Sequence, residues 1–430
     1  MVNRDQAGHL PDLFFRQVEK YGQRVALRHK DYGIWNRISW RDYGQGVRET
    51  AFGLLSFGLH PGRTVTILGD NRPEWLVCHL AAMTAAGVTC GIYPTSSPDE
   101  IRYIVQHSDS EVLFVENEEQ VDKVLQIIDE LEVVKVVVWD PKGLWGFEHP
   151  RIMFYQDFLA QAREYQQKHP DEIDGRLASL EPDDTAMIIY TSGTTGRPKG
   201  AMISHANILA ITAAFTGTME ARETDETLSY LPLAHIYENL ISVFQAIWTG
   251  STVNFVESMD TLAQNLREVS PTVFASVPRI WEKFASAIEI RMSDATYFKR
   301  FMYRLAVKVG RKWFRSPQGS SPRFRWGLAY WPLYWLVLYN LKRNLGFEHI
   351  RFAICGAAPA SPELFEFFNT LGVKLREGYG QTESTGVIAL THLNNPRWGY
   401  VGQALPGMEI KIAEDGEILV RGPGVFKGYF

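Results

Sequence analysis

Residues 190–200 read Tyr-Thr-Ser-Gly-Thr-Thr-Gly-Arg-Pro-Lys-Gly and follow an apolar, strand-like run at residues 185–189. Glycines let backbone N–H groups turn toward an anion, the hydroxyls of Thr191, Ser192, Thr194 and Thr195 add donors, and Lys199 adds a compact positive charge. Such a loop suits a polyphosphate. It is not the nucleotide-triphosphatase loop G-x-x-x-x-G-K-[ST], because counting from Gly193 puts Pro198 where the second glycine belongs. A solvated Gly/Thr hairpin is the competing reading. Three further clusters follow in order: Leu-Pro-Leu-Ala-His-Ile-Tyr-Glu at 231–238, Cys-Gly-Ala-Ala-Pro at 355–359 and Glu-Gly-Tyr-Gly-Gln-Thr-Glu at 377–383. Taken singly, each has a plain structural explanation. Glu383 fits a helix cap as well as a metal ligand, residues 356–359 fit a strand-ending turn, and a lone His235 fits a satisfied core group.

Taken together, the four motifs resemble the adenylate-forming superfamily of acyl-CoA synthetases, luciferases and adenylation domains. Residues 416–423 with Lys427-Gly-Tyr429 match the region before that family's hinge. The resemblance implies an enzyme that activates a carboxylate with ATP, releasing pyrophosphate, and then passes the acyl group to CoA. It implies that Thr191, Ser192, Gly193, Thr194, Thr195 and Lys199 hold the β- and γ-phosphates, and that Thr191 and Glu383 bind Mg²⁺. Tyr379, between Gly378 and Gly380, would stack on adenine, with Gly356, Ala357 and Ala358 opposite and Glu377 and Gln381 beside them. Thr382 would touch the α-phosphate. His235, Thr382 and Glu383 are the expected catalytic residues, and His235, Trp281 and Gly356 the expected lining of an acyl tunnel, although Trp281 fits a core position equally well. A carboxylate is already anionic at neutral pH, so the chemistry needs charge neutralisation rather than a general base.

These motifs need a scaffold that presents loops at strand ends. Apolar runs at residues 65–68, 89–93 and 112–115 alternate with helical patterns at 73–86 and 98–106, a βαβ rhythm that implies parallel sheets covered by helices. The rhythm resumes with strands at 228–231, 253–256, 273–277 and 351–355. The expected fold class is therefore α/β, with two helix-covered parallel sheets. Residues 1–180 make a first α/β region, 181–385 a second carrying the phosphate loop and adenine site, and 386–430 the start of a small β subdomain. By resemblance, the whole of 1–430 is the large N-terminal domain of a ligase whose mobile C-terminal domain is absent. Alone it is expected to bind nucleotide but turn over weakly or not at all.

A chain of 430 residues with 45% hydrophobic and 22% charged residues can bury more than one core. A formal net charge of −5 gives no case for a nucleic-acid partner. Cys78, Cys90 and Cys355 follow neither a disulfide nor a zinc pattern, and the N-terminus has no signal-like apolar segment, so a cytoplasmic location is expected. One segment departs from the average. Residues 299–351 carry twelve Lys and Arg against one acid, Glu348, around an aromatic stretch at 326–339. A solvated basic helix pair and a peripheral contact with the inner face of the membrane both fit it. This extended segment resembles long-chain acyl-CoA synthetases, so a fatty acid is the expected substrate. Another hydrophobic or aryl carboxylate, or a nucleotide- and lipid-binding module without turnover, are the alternatives.

Overall fold

The computed structural model describes residues 7–191, 196–317, 319–391 and 396–430. In chain order the strands are β1 (Val25–Asp31), β2 (Ile34–Ser39), β3 (Thr64–Leu68), β4 (Val88–Ile92), β5 (Ser110–Val115), β6 (Lys135–Val138), β7 (Ile152–Phe154), β8 (Thr185–Thr191) and β9 (Lys199–Ser204). They continue as β10 (Glu226–Ser229), β11 (Thr252–Phe255), β12 (Val273–Ser276), β13 (Phe352–Cys355), β14 (Leu375–Gln381), β15 (Gly386–Leu390), β16 (Gln403–Ala404), β17 (Glu409–Ile412), β18 (Ile418–Arg421) and β19 (Gly428–Tyr429). Among the described residues they form a nine-stranded sheet in the order β16-β15-β14-β13-β12-β10-β11-β1-β2 and an eight-stranded sheet in the order β19-β9-β8-β4-β3-β5-β6-β7. A separate hairpin joins β17 and β18.

Both sheets are parallel in their middles; the nine-stranded sheet is antiparallel at both edges, and the eight-stranded sheet is antiparallel at its β19-β9-β8 end and parallel out to β7. Their sequences show why. Every residue of β3 and β4 is buried, the signature of strands covered by helices on both faces. The expected α/β class with two parallel sheets is what forms.

The boundaries expected at residues 180 and 386 do not coincide with the sheets. β1 and β2, from the first region, close the edge of the nine-stranded sheet through Leu27 paired with Val253. β8 and β9, assigned to the second region, complete the eight-stranded sheet beside β4. The expected β subdomain is likewise shared out. β15 and β16 extend one sheet and β19 returns to β9 of the other, leaving β17 and β18 as a free-standing hairpin. Periodicity marks a residue run as a strand, but its neighbour is decided by which open edge the folded chain presents.

Four helices matter below: α1 (Pro98–His107), α2 (Pro278–Ser293), α3 (Tyr297–Arg315) and α4 (Ser321–Leu333). The last three lie in the crossover between the adjacent parallel strands β12 and β13. Pro332 lies inside α4, and the helix runs on through a π-helical turn, Tyr334–Leu338, into Tyr339–Asn344.

The turn that joins β14 to β15 has no room to spare. A Cβ on Gly380 would lie 1.8 Å from the carbonyl oxygen of Gly386. Gly380→Ala is expected to lower the stability by about 1–3 kcal/mol, the usual cost of overpacking. In the short helix Glu172–Ala178, a Cβ on Gly175 meets nothing within 4 Å. Gly175→Ala should therefore stabilise, by up to about 1 kcal/mol. Urea unfolding of the two variants beside the parent checks both the signs and the order.

Candidate active site between the two sheets

In open α/β sheets, ligands gather outside the carboxyl ends of the strands. Here two such sets of ends face one another. A cavity of about 720 Å³ is lined from one side by Tyr93 after β4 and by Tyr190 and Thr191 at the end of β8. From the other side it is lined by His235 in the loop after β10, Gly356 after β13, and Gly378, Gly380 and Gln381 along β14. The volume falls within the roughly 300–1,000 Å³ typical of small-molecule sites.

Ten of the residues singled out in the sequence converge on this cavity: Thr191, Lys199, His235, Gly356, Ala357, Gly378, Gly380, Gln381, Thr382 and Glu383. Thr191 and Lys199 stand opposite each other in the β8–β9 register. The strands that flank the phosphate-type motif, β8 and β9, are therefore an antiparallel pair. Ser192, Gly193, Thr194 and Thr195 lie outside the described residues.

Four expected residues do not line the cavity. Tyr379 is half-buried and packs against the larger core, while Gly378 before it and Gly380 after it line the cavity at a point where the β14–β15 ladder shifts register. Trp281 is fully buried on α2, with Phe347 stacked on its indole at 5.5 Å and Nε1 donating to the carbonyl of Ile354 at 3.2 Å. It is a core tryptophan and forms no gate in this structure. Ala358 is exposed beyond the cavity rim, and Glu377 sits one residue before the lining, its carboxyl pushed up by burial.

His235 enters the cavity from a turn that both sheets hold. Its Nδ1 accepts the backbone N–H of Tyr237 at 3.0 Å, which places the ring proton on Nε2. Burial lowers its pKa, so the imidazole stays neutral and presents an N–H donor. Asn71, from the loop after β3, donates to the carbonyl of Leu231 at 2.7 Å and accepts from Leu233 N–H at 3.2 Å. Glu238 closes the turn from beneath: its Oε1 accepts from Ser229 and Ser242, both at 2.6 Å. The carboxyl is buried, and desolvation, partly offset by those hydroxyls, pushes it up to about 7.

The opposite wall is closed by the end of the chain. β19 pairs with β9 through Gly428–Met202 and Tyr429–Ala201, and Phe426 N–H donates to the carbonyl of Glu383 at 3.0 Å. Tyr429 thereby reaches both charged groups of the site. Its hydroxyl donates to Glu383 Oε1 at 2.7 Å, and Lys199 Nζ lies 5.2 Å from its ring centroid. In the sequence, Lys427-Gly-Tyr429 stands out only as a stretch that matches the family. Its place at the site depends on a pairing across two hundred residues that no local pattern reports. Tyr93, Ser96 and Glu100, which also line the cavity, went unnoticed for the same reason. Glu100 accepts Ser97 N–H at 2.9 Å and so caps α1.

Lys199, the hydroxyls of Thr191 and Thr382, the neutral imidazole N–H of His235 and the carboxylate of Glu383 are groups that can hold a polyanion with a divalent cation beside it. Apolar walls from Ile104, Ile189, Ile236 and Val387 can take a hydrophobic group.

Glu238 makes stability depend on pH. Its folded pKa lies above its unfolded value, so the stabilisation it gives as a neutral acid is complete below the ordinary carboxylate pKa and is lost as pH rises to about 7. The slope is roughly 1.4 kcal/mol per pH unit at most. Glu238→Gln should flatten the profile between pH 5 and 7 (about the linkage window), as read by urea midpoints across that range.

Sequence comparison agrees with the geometry. The AMP-binding enzyme family matches residues 14–430. Long-chain-fatty-acid–CoA ligase ACSBG2 of Xenopus laevis is 33% identical over 430 residues, which cover 97% of this chain and 57% of that protein. Long-chain-fatty-acid–CoA ligase FadD15 of Mycobacterium bovis is 32% identical over 405 residues, covering 93% and 64%. The chain thus spans less than two thirds of the length of either relative. Among solved structures, benzoate CoA ligase from Burkholderia xenovorans aligns with a TM-score of 0.70 at 17% identity over 98% of this chain and 73% of that one. ATP-bound MatB from Rhodopseudomonas palustris gives 0.66 at 21% identity over 98% and 72%. At such identities the likeness speaks for the fold. With its motifs gathered at one cavity and a family match over nearly its whole length, the chain belongs to the AMP-binding enzyme family.

Proposed function

We propose that this chain is the adenylate-forming portion of a long-chain fatty acid–CoA ligase: it binds ATP and a fatty acid, joins them as acyl-adenylate with release of pyrophosphate, and contributes to thioester formation with CoA in the whole enzyme. The observation that carries this reading is the meeting of Lys199, Thr191, Thr382 and Glu383 with an apolar wall in one cavity. The names of the curated relatives support the substrate class.

In the proposed reaction, a carboxylate oxygen of the fatty acid attacks the α-phosphorus while the bond to the bridging oxygen of pyrophosphate breaks. The step brings two anions together, and the side chains present suit that task. Lys199 would neutralise the outer phosphates, Thr191 and Thr382 would donate to phosphate oxygens, and the neutral Nε2–H of His235 would donate to the reacting carboxylate without pairing permanently to it. Glu383, with Thr191, would hold Mg²⁺. The ion would draw charge from the phosphates, and a single carboxylate with phosphate oxygens fits its preference for keeping several waters. Gly356 and Gly378 leave the wall beside Gln381 bare enough for a flat base.

Non-hydrolysable palmitoyl-, acetyl- and benzoyl-adenylate analogues, titrated calorimetrically, test the substrate class. The palmitoyl form should bind at least tenfold more tightly; equal affinities would leave only a nucleotide pocket. ATP–pyrophosphate exchange, stimulated by palmitate, separates turnover from a binding module.

Tyr429 is proposed to position Glu383. Tyr429→Phe removes one hydrogen bond to a carboxylate at a partly exposed site, so MgATP should bind about fivefold more weakly, near 1 kcal/mol. ATP binding without the metal should change little.

A further inference from the structure

The crossover between β12 and β13 carries a surface that the proposed reaction does not use. Residues 326–341 contain no charged side chain, so α4 from Trp326 onward and its continuation as far as Leu341 present no charge on any face. The inner face is accounted for: Tyr330, Tyr334 and Leu338 are buried in the second core. The outer face is bare. Phe324, Leu328, Trp331 and Trp335 follow one another at intervals of four, three and four, so they form one helical stripe, exposed by 71%, 65%, 49% and 60%. Leu336, 66% exposed, extends it. A shallow groove runs along the stripe between Phe324, Leu328 and Trp331, with Trp313 of α3 and Gly327 at its base.

α3 packs alongside, with Trp313 stacked on Tyr330 at 4.5 Å. It carries a stripe of the same period, Phe301, Leu305, Lys308 and Lys312, exposed throughout and apolar in its first half, cationic in its second. Residues 297–344 hold eleven Lys and Arg and not one Asp or Glu, in a chain whose net charge is −5. Soluble proteins rarely leave so contiguous an apolar patch open to water without a partner for it. Aromatic and leucine side chains bordered by cations, on helices lying along a surface, match the boundary between lipid headgroups and acyl chains. Among the described residues no helix is long and apolar enough to cross a membrane.

We propose that the α3–α4 hairpin docks this protein flat onto an anionic phospholipid bilayer, with the Phe324–Trp335 stripe sunk among the upper acyl chains and the cations of α3 against the headgroups. Charge complementarity selects the lipid surface as occupant over a second copy, because two copies meeting through this face would bring the exposed Arg304, Lys308 and Lys312 of one against those of the other, with no Asp or Glu in residues 297–344 to pair them.

Co-sedimentation of the full chain with phosphatidylcholine vesicles, with and without phosphatidylglycerol, tests the proposal. The protein should partition at least tenfold more strongly onto vesicles with phosphatidylglycerol, with a blue shift in tryptophan emission and release at high salt. Leu328→Glu with Leu336→Glu, both at exposed positions, should abolish partitioning while ATP affinity and the circular dichroism spectrum stay unchanged. Arg304→Ala with Lys308→Ala should weaken it severalfold and lessen its salt dependence. No partitioning onto either vesicle would overturn the proposal, as would equal, salt-insensitive partitioning onto both. Concentration-dependent dimerisation abolished by the leucine variants would assign the stripe to a second copy and equally overturn it. None of these readouts depends on which acid the cavity accepts.

Discussion

The site depends on a buried carboxyl group at the seam between two sheets that share the largest core. Glu238 gathers Ser229 at the end of β10 and Ser242 one helical turn on, while Asn71 reaches across from the other sheet to the carbonyl of Leu231 and the N–H of Leu233. Without these bonds the turn at 230–235 would present its backbone groups unpaired between two sheets, and the direction of His235 would be undetermined. A buried acid is a costly anchor, since removing it from water opposes its charge. The structure meets that cost in part by letting the group lie near neutrality, where it can donate as well as accept. An apolar residue of equal size would pack there but could not fix a polar loop.

The opposite wall follows another logic. Lys199 is a long, hydrated side chain at a strand start, and a lone lysine is a loosely placed charge. Pairing β19 with β9 sets the Tyr429 ring beneath it and the Tyr429 hydroxyl on Glu383. One aromatic residue thus contacts the cationic and the anionic group of the cavity at once, keeping them from collapsing onto each other. The arrangement sets the Glu383 carboxylate at the hydroxyl tip of the ring and the Lys199 ammonium over its face. It needs a ring with a hydroxyl at its tip, which narrows the choice to tyrosine.

Much of this was legible in the sequence where the signal is local. The hydroxyl-rich loop and His235 are each read in the sequence as following a strand, and β8 and β10 precede them in the structure, because β-branched runs and turn residues mark strand ends in one dimension; β14, which carries the Gly-rich motif, is not read as a strand. Facing and pairing were harder. Its glycine neighbours point Tyr379 toward the cavity, yet in the structure those glycines line it while Tyr379 packs on the core, at an irregularity in the β14–β15 ladder that no local pattern marks. Trp281 was open between gate and core, and the aromatic surroundings that settle it, Phe274, Phe347 and Phe368, come from three distant segments. Tyr429 was invisible as a site residue because its partner strand, β9, lies far back in the chain.

The hairpin's position also explains how one domain can carry a cavity built on precise contacts and a surface built on none. β12 and β13 are adjacent and parallel, in register from Val273–Phe352 to Ser276–Cys355. A right-handed crossover between such strands requires only about a dozen residues. Everything beyond that minimum in residues 277–351 is free of the sheet's register, so its length and outward composition can be set by something other than folding. Only the inner residues are constrained, Trp281 on α2, Tyr303 on α3 and Tyr330 on α4, which close the second core. The outward stripe from Phe324 to Trp335 lies outside that core and exposes apolar area to water. A sequence under no demand but stability and solubility would place polar residues there, and the aromatic stripe is therefore best understood through contact outside the protein.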